Sequence, residues 1–403
     1  MPLPALRAID TYPIHLEGKT YVCLSDPSGV ADEQVVLNPL AYYIATMLTG
    51  TSEADEIAAE CTRQYSSIRL TPGEIRDLVQ HLDTKGFLLT ESFDARRAQF
   101  LDGFRQATTR AAHFAGRSYP EDPAELSRFL DGQFTREGGP GPLPTEPGVG
   151  EPLKGLVVPH IDYHRGGHIY AHGYRRMYLH GRPDTVFVFG VAHMAQPAPF
   201  ILTRKHFETP LGLIETDQEA MDRLETACAV DPYEYEWVQR TEHSIEFHAV
   251  MLAHLYGPNI KIVPILCSMF PDAPAEDPDI CRFLEVCRDI IAGDERACTV
   301  IASADLAHVG KRFGDGFDID EAAVERVAAR DEEDLAHVET LSAEPFFDSV
   351  MKDRNRRRVC GINCIYSALK SIDGRARRGE RLHYDYAHDL AGGIVSFISM
   401  ALD

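Results

Sequence analysis

From Leu153 onward the chain alternates short, fully apolar runs with helical stretches, and this rhythm is its strongest constraint on fold. The runs are Gly155–Pro159, Thr185–Gly190, Ile260–Leu266, Cys298–Ser303 and Gly393–Met400. They read as strands buried on both faces, since a strand wetted on one side would alternate apolar and polar residues. Strands of this kind separated by helices predict an α/β domain with α/β/α layering. In such sheets ligands gather outside the carboxyl ends of the strands, so a side chain just past a run points into a shared crevice. His160 follows Val157-Val158-Pro159, His193 stands near the end of VFVFGVAHM and His308 lies within SADLAHVG, while Cys360 stands at the glycine turn of RRRVCGINC. Imidazole with thiolate is metal-binding chemistry, which makes His160, His193, His308 and Cys360 the set expected to converge.

Each candidate also has a plainer reading. The pair Gly166-Gly167 should break any continuous helix through His164, His168 and His172, so those three are expected in solvated or packing roles. Cys360 lies between the basic cluster Arg354, Arg356, Arg357, Arg358 and Gly361. Near arginines and a helix start its thiol should have a depressed pKa, unless it is one more buried cysteine. Cys364, one turn on, reads as core, and Arg356 to Arg358 read as a solvated charged face. Asp305 and His308 form an acid/base pair in one reading, because imidazole titrates near neutral pH. In the other they are a helix cap and a surface histidine. His243 either lines the same crevice or packs. Its run, Glu242 to His248, is neither HExxH nor HxxEH, so zinc-protease chemistry does not apply. No GxxxxGK[ST], GxGxxG or GxSxG turn is present, which argues against nucleotide hydrolysis, nicotinamide binding and α/β-hydrolase chemistry.

At 403 residues the chain has room for two domains. A formal charge of −22 argues against nucleic acid and anionic membranes as partners. Nine scattered cysteines without a CxxC pair fit neither a disulfide framework nor a zinc ribbon, and are expected as thiols in a reducing compartment. No apolar run approaches the ~20 residues that span a bilayer. The N-terminus lacks a basic head with an apolar core, so a cytoplasmic setting is expected.

Residues 1–95 read as a separate, small α+β unit. Tyr21 to Ser25 and Val35 to Leu37 are strand-like, and Asn38 should cap a helix over Leu40 to Leu48. Ser52 should cap Glu53 to Tyr65, Thr71-Pro72 should open a helix through His81, and Phe87 to Thr90 should form a closing strand. Strands flanking three short helices suggest a winged helix. A helical connector is expected from Phe93 to about Thr109, over 96–112 between the units. The five glycines and four prolines of Gly138 to Gly150 mark a surface loop inside the larger unit, 113–403.

Taken in order, HFAGRSYP (113–120), VVPHIDY (157–163), FVFGVAHM (187–194), ETPLG (208–212) with Asp217, EHSIEFH (242–248), SADLAHVGKRFG (303–314) and Cys360-Gly361 resemble the Memo family, in the form called AmmeMemoRadiSam system protein B. That family is similar in fold to class III (LigB-like) extradiol dioxygenases, which hold non-haem Fe(II). By this resemblance His160 and His193 match the metal-ligand histidines and Cys360 the cysteine that completes the site. His308 matches the acid/base histidine, with Asp305 and His243 lining the pocket. Two departures touch the pocket wall: Pro159-His160-Ile161-Asp162-Tyr163 and Gly190-Val191-Ala192-His193 replace the usual PHAGY and GPSH runs. Asp162 adds a carboxylate two residues from His160, a substitute ligand or an outer partner. LNPLAYYIATMLTG and LVQHLDTKGFLL resemble a PqqD-like winged helix, which implies capture of a peptide or of a partner such as a radical SAM enzyme by strand addition.

Two expectations follow. One is a metal-dependent oxidoreductase, with Fe(II) favoured by the resemblance and Cu, or Zn, by the soft sulfur. The other is a non-catalytic adaptor that binds a peptide or protein.

Overall fold

The computed structural model describes all residues except 17, 32, 66, 67, 294 and 295. Its contacts separate two units, Met1–Ala107 and Thr108–Asp403.

In the first unit β1 (Asp10–Leu16), β2 (Lys19–Ser25) and β3 (Val35–Leu37) form an antiparallel sheet in that order. Helices α1 (Pro39–Thr46), α2 (Ala54–Gln64), α3 (Pro72–Thr84) and α4 (Glu91–Gln106) follow. Asn38 caps α1 by accepting the Ala41 amide at 2.9 Å, and Thr71 forms a capping box with Glu74 on α3. Leu24, Leu37, Ile44, Ile57, Ile75 and Leu82 make the apolar core. Strand β1 was not legible, because it is exposed along nearly its whole length and carries Pro13, the mark of an edge strand. Two expectations need correction. The cap of α2 is Glu53, boxed with Glu56, and not Ser52. Phe87 to Thr90 shrink to a single bridge between Leu88 and Leu6, because Thr90 instead caps α4.

The second unit runs β4 (Thr109–Arg110), α5 (Pro123–Thr135), β5 (Gly155–Val158), α6 (Tyr163–Leu179) and β6 (Thr185–Val191). Then come β7 (Phe200–Leu202), β8 (His206–Thr209), β9 (Gly212–Thr216), α7 (Gln218–Ala227), α8 (His243–Tyr256) and β10 (Lys261–Cys267). It closes with α9 (Pro278–Ala292), β11 (Cys298–Ser303), β12 (Asp305–Gly310), α10 (Glu321–Glu339), α11 (Ala343–Met351), α12 (Ile362–Ser371), β13 (Gly379–Asp389) and β14 (Gly393–Leu402). The strands join in one sheet of order β12-β14-β5-β11-β6-β10-β9-β8-β4, with β13 on β14 and β7 on β10. Strands β5, β11, β6 and β10 are mutually parallel.

Side chains alternate between two cores, as a pleated strand requires. Val157, Phe187, Phe189, Val263 and Val300 face one, with α7, α9, α10, α11 and α12. Leu156, Val158, Val186, Val188 and Ile301 face the other, with α5, α6 and α8. This is the expected α/β/α layering, and all five expected strands are present. Strands β7, β8, β9, β12 and β13 were not legible. They are short, or partly polar like β13, and give no long apolar run.

Helix α6 overturns one expectation: it runs unbroken through Gly166 and Gly167. Those glycines serve close packing. A Cβ on Gly166 would lie 2.3 Å from Ile161 Cγ2, and one on Gly173 2.5 Å from Ser399 Oγ and Val158 Cγ1. Strand β14 pairs with β5 through Met400–Leu402 and with β12 through Gly393–Phe397. The sheet therefore forks where β5 ends, and a crevice opens there. Among the described residues no helix is long and apolar enough to cross a membrane.

Candidate metal centre

Three neighbouring parallel strands deliver the site. His160 lies two residues past β5, His193 two past β6, and Asp305 two past the strand between them, β11. His243 is the first residue of α8, and Cys360 stands two residues ahead of α12. His160, His193 and His243 each offer a ligand atom within 4.8 Å of the others. Cys360 Sγ is 3.3 Å from His160 Nε2. His308, on β12, faces the same cavity of about 360 Å³, as do Asp305, Phe114, Phe247 and Phe313.

Hydrogen bonds decide what each ring can do. Ser303 Oγ donates its one proton to Ser244 O at 2.6 Å, so at 3.1 Å it accepts from His160 Nδ1. That leaves a lone pair on His160 Nε2, toward Cys360. Burial, with the neighbouring imidazoles His193 and His243, holds the His160 pKa well below the ordinary value. His193 donates from Nδ1 to Glu242 Oε1 at 2.9 Å, and its amide donates to Oε2 at 2.9 Å. Burial disfavours charge on both partners, but their attraction prevails: Glu242 is held at about 2 and His193 well above its usual value. His193 Nε2 is thus a strongly basic nitrogen. His308 Nδ1 donates to Leu306 O and Arg358 O, each at 3.1 Å, so its Nε2 is a proton acceptor; burial pushes its pKa down to about 4. Burial also lowers His243 to about 4, against the pull of Glu242. Asp305 is raised to about 6 by burial, although it accepts the His160 and Ile161 amides at 3.0 and 3.2 Å.

This donor set fits a transition ion: imidazole nitrogens and one sulfur, with two of the imidazoles oriented by partners on their far side. His160, His193 and Cys360 are brought together as expected from the sequence. His243 also belongs with them and offers a nitrogen of its own. Asp162 caps α6 through the Arg165 amide and pairs with the Arg165 side chain at 2.6 Å.

One of the two readings of Cys360, and the expectation for Arg356 to Arg358, are corrected. Burial pushes its thiol pKa up, opposed by the nearby His193, so it is not a thiolate made by arginines. The arginines are engaged elsewhere: Arg357 is buried against Asp331 and Asp334, and Arg358 pairs with Asp315 at 2.9 Å. Arg356 to Arg358 are therefore not one solvated face. Arg354, Asn355 and Arg358 adopt left-handed φ of 60°, 52° and 54°, held by Asn355 Oδ1 on the Val359 amide at 2.7 Å. Sequence reasoning missed Glu242 and Ser303, which orient the imidazoles, and Arg110 with Glu246. Buried Glu246 accepts from Arg110, Tyr119 and the His113 and Phe114 amides, which seats Phe114 over the cavity. For Glu242 a signal existed: a carboxylate one residue ahead of an apolar helix, at its cap position.

An open α/β sheet carries imidazoles and a thiol at the mouths of adjacent parallel strands, and His160, His193 and His243 among them could hold a metal ion. The chain belongs to the Memo-like protein family, whose model matches residues 110–402. It is 26% identical over 393 residues, 96% of each chain, to a MEMO1 family protein of Aquifex aeolicus. It is 28% identical over 294 residues to one from Methanopyrus kandleri, covering 72% of this chain and 97% of that one. A third, from Thermus thermophilus, is 25% identical over 329 residues, 81% of this chain and 92% of its own.

Proposed function

We propose that the larger unit is a metal-dependent, oxidoreductase-like protein that holds iron or copper, with zinc as a further candidate, on His160, His193 and Cys360, assisted by His243. One observation carries this reading: two imidazoles on different strands are each tied at Nδ1 to a buried oxygen, and His160 turns its free Nε2 toward a thiol. Any of these ions would supply open coordination positions when bound, and iron or copper would add a redox couple that zinc lacks. The chain's own groups do the rest. His308 Nε2, neutral at physiological pH, accepts a proton from a substrate hydroxyl. Asp305 fixes the His160 backbone. Phe114, Phe247 and Phe313 restrict water at the cavity wall.

The substrate reaches this cavity in the cytoplasm, and the nine free thiols suit such a reducing compartment. The first unit, read as PqqD-like, recruits a peptide or a radical SAM partner to the β1 edge. The second reading, a non-catalytic adaptor, draws on the Methanopyrus relative, which matches over nearly its whole length yet leaves part of this chain unmatched. Elemental analysis of protein purified without oxygen decides between them. Stoichiometric iron or copper, lost in His160→Ala and His193→Ala proteins that keep their fold, supports the enzyme. Metal-free protein that retains a peptide supports the adaptor.

A further inference from the structure

Helix α6 presents Tyr163, Tyr170, Tyr174 and Tyr178 as one stripe, packed beside α8. All four are buried, and Tyr178 is the most exposed at 8%. Phenylalanine would fill the same volume without a hydroxyl to satisfy; Tyr163 and Tyr170 donate theirs to the Phe247 and Ile161 carbonyls, whereas Tyr174 meets a titratable ring, His248. The stripe starts at the candidate centre. His243 contacts Phe247 with ring centroids 5.4 Å apart, Phe247 contacts Tyr163 at 5.3 Å, and Tyr163 contacts Tyr170 at 5.0 Å. Tyr170 lies nearly parallel to Tyr174 at 6.5 Å. Tyr119 joins from the side, 6.3 Å from Tyr163. At the far end Tyr178 meets Tyr256, itself 9% exposed, at 5.8 Å.

A phenol gives up an electron readily only when its proton can leave at the same moment. Two of these phenols have a base in place. Tyr174 Oη is 2.8 Å from Nδ1 of His248, a fully buried imidazole whose Nε2 meets no partner. Tyr119 donates to the Glu246 carboxylate.

We infer that the buried tyrosines are a relay that draws an oxidising equivalent away from the metal centre to the surface, sparing the imidazoles and the thiol. This rests on the metal-centre reading above. Hydrogen peroxide reduced at the loaded centre takes two electrons and two protons and becomes two waters. Two tyrosines supply the electrons; their phenolic protons pass to His248 Nδ1 and to Glu246, and the peroxide takes an equal number from water. Two neutral tyrosyl radicals remain. At the Tyr178–Tyr256 end two small thiols each give up one electron and one proton and couple to a disulfide. The electrons refill the two tyrosyl radicals, which take back their protons from His248 and Glu246, and the thiol protons neutralise the two hydroxides left by the water.

The test uses full-length protein loaded with copper or iron, with loading verified by elemental analysis. Peroxide is added, the sample is frozen within seconds, and its electron paramagnetic resonance spectrum is recorded. A tyrosyl signal is expected that falls by about half in Tyr170→Phe/Tyr174→Phe, drops to background when Tyr119→Phe is added, and is weakened in His248→Gln. Peptide mass mapping should then show oxidation moving onto His160, His193 and Cys360. Should the double variant not fold, Tyr174→Phe alone reads the same loss. Loaded protein without a tyrosyl signal, or with an unaltered signal in the Phe variants, overturns the relay and leaves the stripe as packing. Protein that takes up no metal overturns the centre as well, so the two failures are distinct.

Discussion

Glu242 Oε1 sits 2.9 Å from His193 Nδ1 and 3.4 Å from His243 Nδ1, so one buried carboxylate governs two of the three imidazoles. It also caps α8 through the Ser244 amide at 3.0 Å. Glu242→Gln keeps the size and one acceptor but removes the charge that makes His193 basic. Metal affinity should fall about 10–100-fold with the fold retained, as for other partners that orient ligands. Competition against a calibrated chelator measures it, and equal affinity would remove Glu242 from the centre.

His248 makes stability depend on acid. Burial pushes its pKa from 6.5 down to about 3, so the unfolded chain takes up its proton before the folded one does. A depressed histidine stabilises the fold above pH 6.5, and that contribution is lost as pH falls toward 3. Each pKa unit is worth about 1.4 kcal/mol. The urea midpoint of the native protein should drop across this window, and in His248→Gln the drop should be visibly shallower. Parallel pH profiles for the two proteins would refute the assignment.

How much of this was readable in advance depends on locality. His160 and His193 were legible because each stands two residues beyond a fully apolar run, and the run announces both the strand and its end. Arg110 and Glu246 were not: the residues are 136 positions apart, and only the folded sheet makes their buried pair. Strand β13 was not, because its burial is partial along nearly its whole length and its residues are mostly polar. The glycine pair of α6 misled in an instructive way. Local propensity reads Gly166-Gly167 as a breaker, whereas tertiary contact with Ile161 and Gln133 leaves room for nothing larger. The arginines before Cys360 misled likewise, since charge in a sequence does not say which buried carboxylate will claim it.

Those contacts predict the sign of a substitution that propensity alone would get wrong. Alanine favours an exposed helix interior over glycine by about 1 kcal/mol. In α6 the added methyl of Gly167→Ala would lie 2.3 Å from Gln133 Oε1, and that of Gly166→Ala equally close to Ile161, beside His160. Overpacking of this kind costs about 1–3 kcal/mol, so both proteins should melt earlier than the parent. Gly166→Ala should also weaken metal binding, through the backbone of His160. A thermal melt at or above the parent value in both would contradict the packing account.

Arg357 anchors the loop that carries Cys360. Its guanidinium is shared between Asp331 and Asp334, and its carbonyl accepts the His308 amide at 2.6 Å. Arg357→Ala leaves two carboxylates buried without their counter-ion, at a cost of about 3–5 kcal/mol. Chemical denaturation should show this loss. Adding Asp331→Asn and Asp334→Asn to Arg357→Met should restore most of it, because the penalty lies in the orphaned charges. A triple variant no more stable than Arg357→Ala would place the anchor elsewhere.

The sulfur sets which ion the centre prefers. Cys360 Sγ faces His160 Nε2 and also contacts Asp305 O at 3.6 Å, from a loop whose left-handed residues fix its approach. Thiolate is a soft donor, and oxygen is hard. Cys360→Ser keeps the shape and replaces soft by hard, while His160, His193 and His243 still offer three nitrogens. Affinity for Cu(I) should therefore collapse, and affinity for Fe(II) should fall much less. Titrating both ions into parent and variant without oxygen, with circular dichroism to confirm the fold, gives the ratio directly. Equal losses for the two ions would mean that Cys360 packs against the imidazoles without binding the metal, and the centre would then be the three histidines alone.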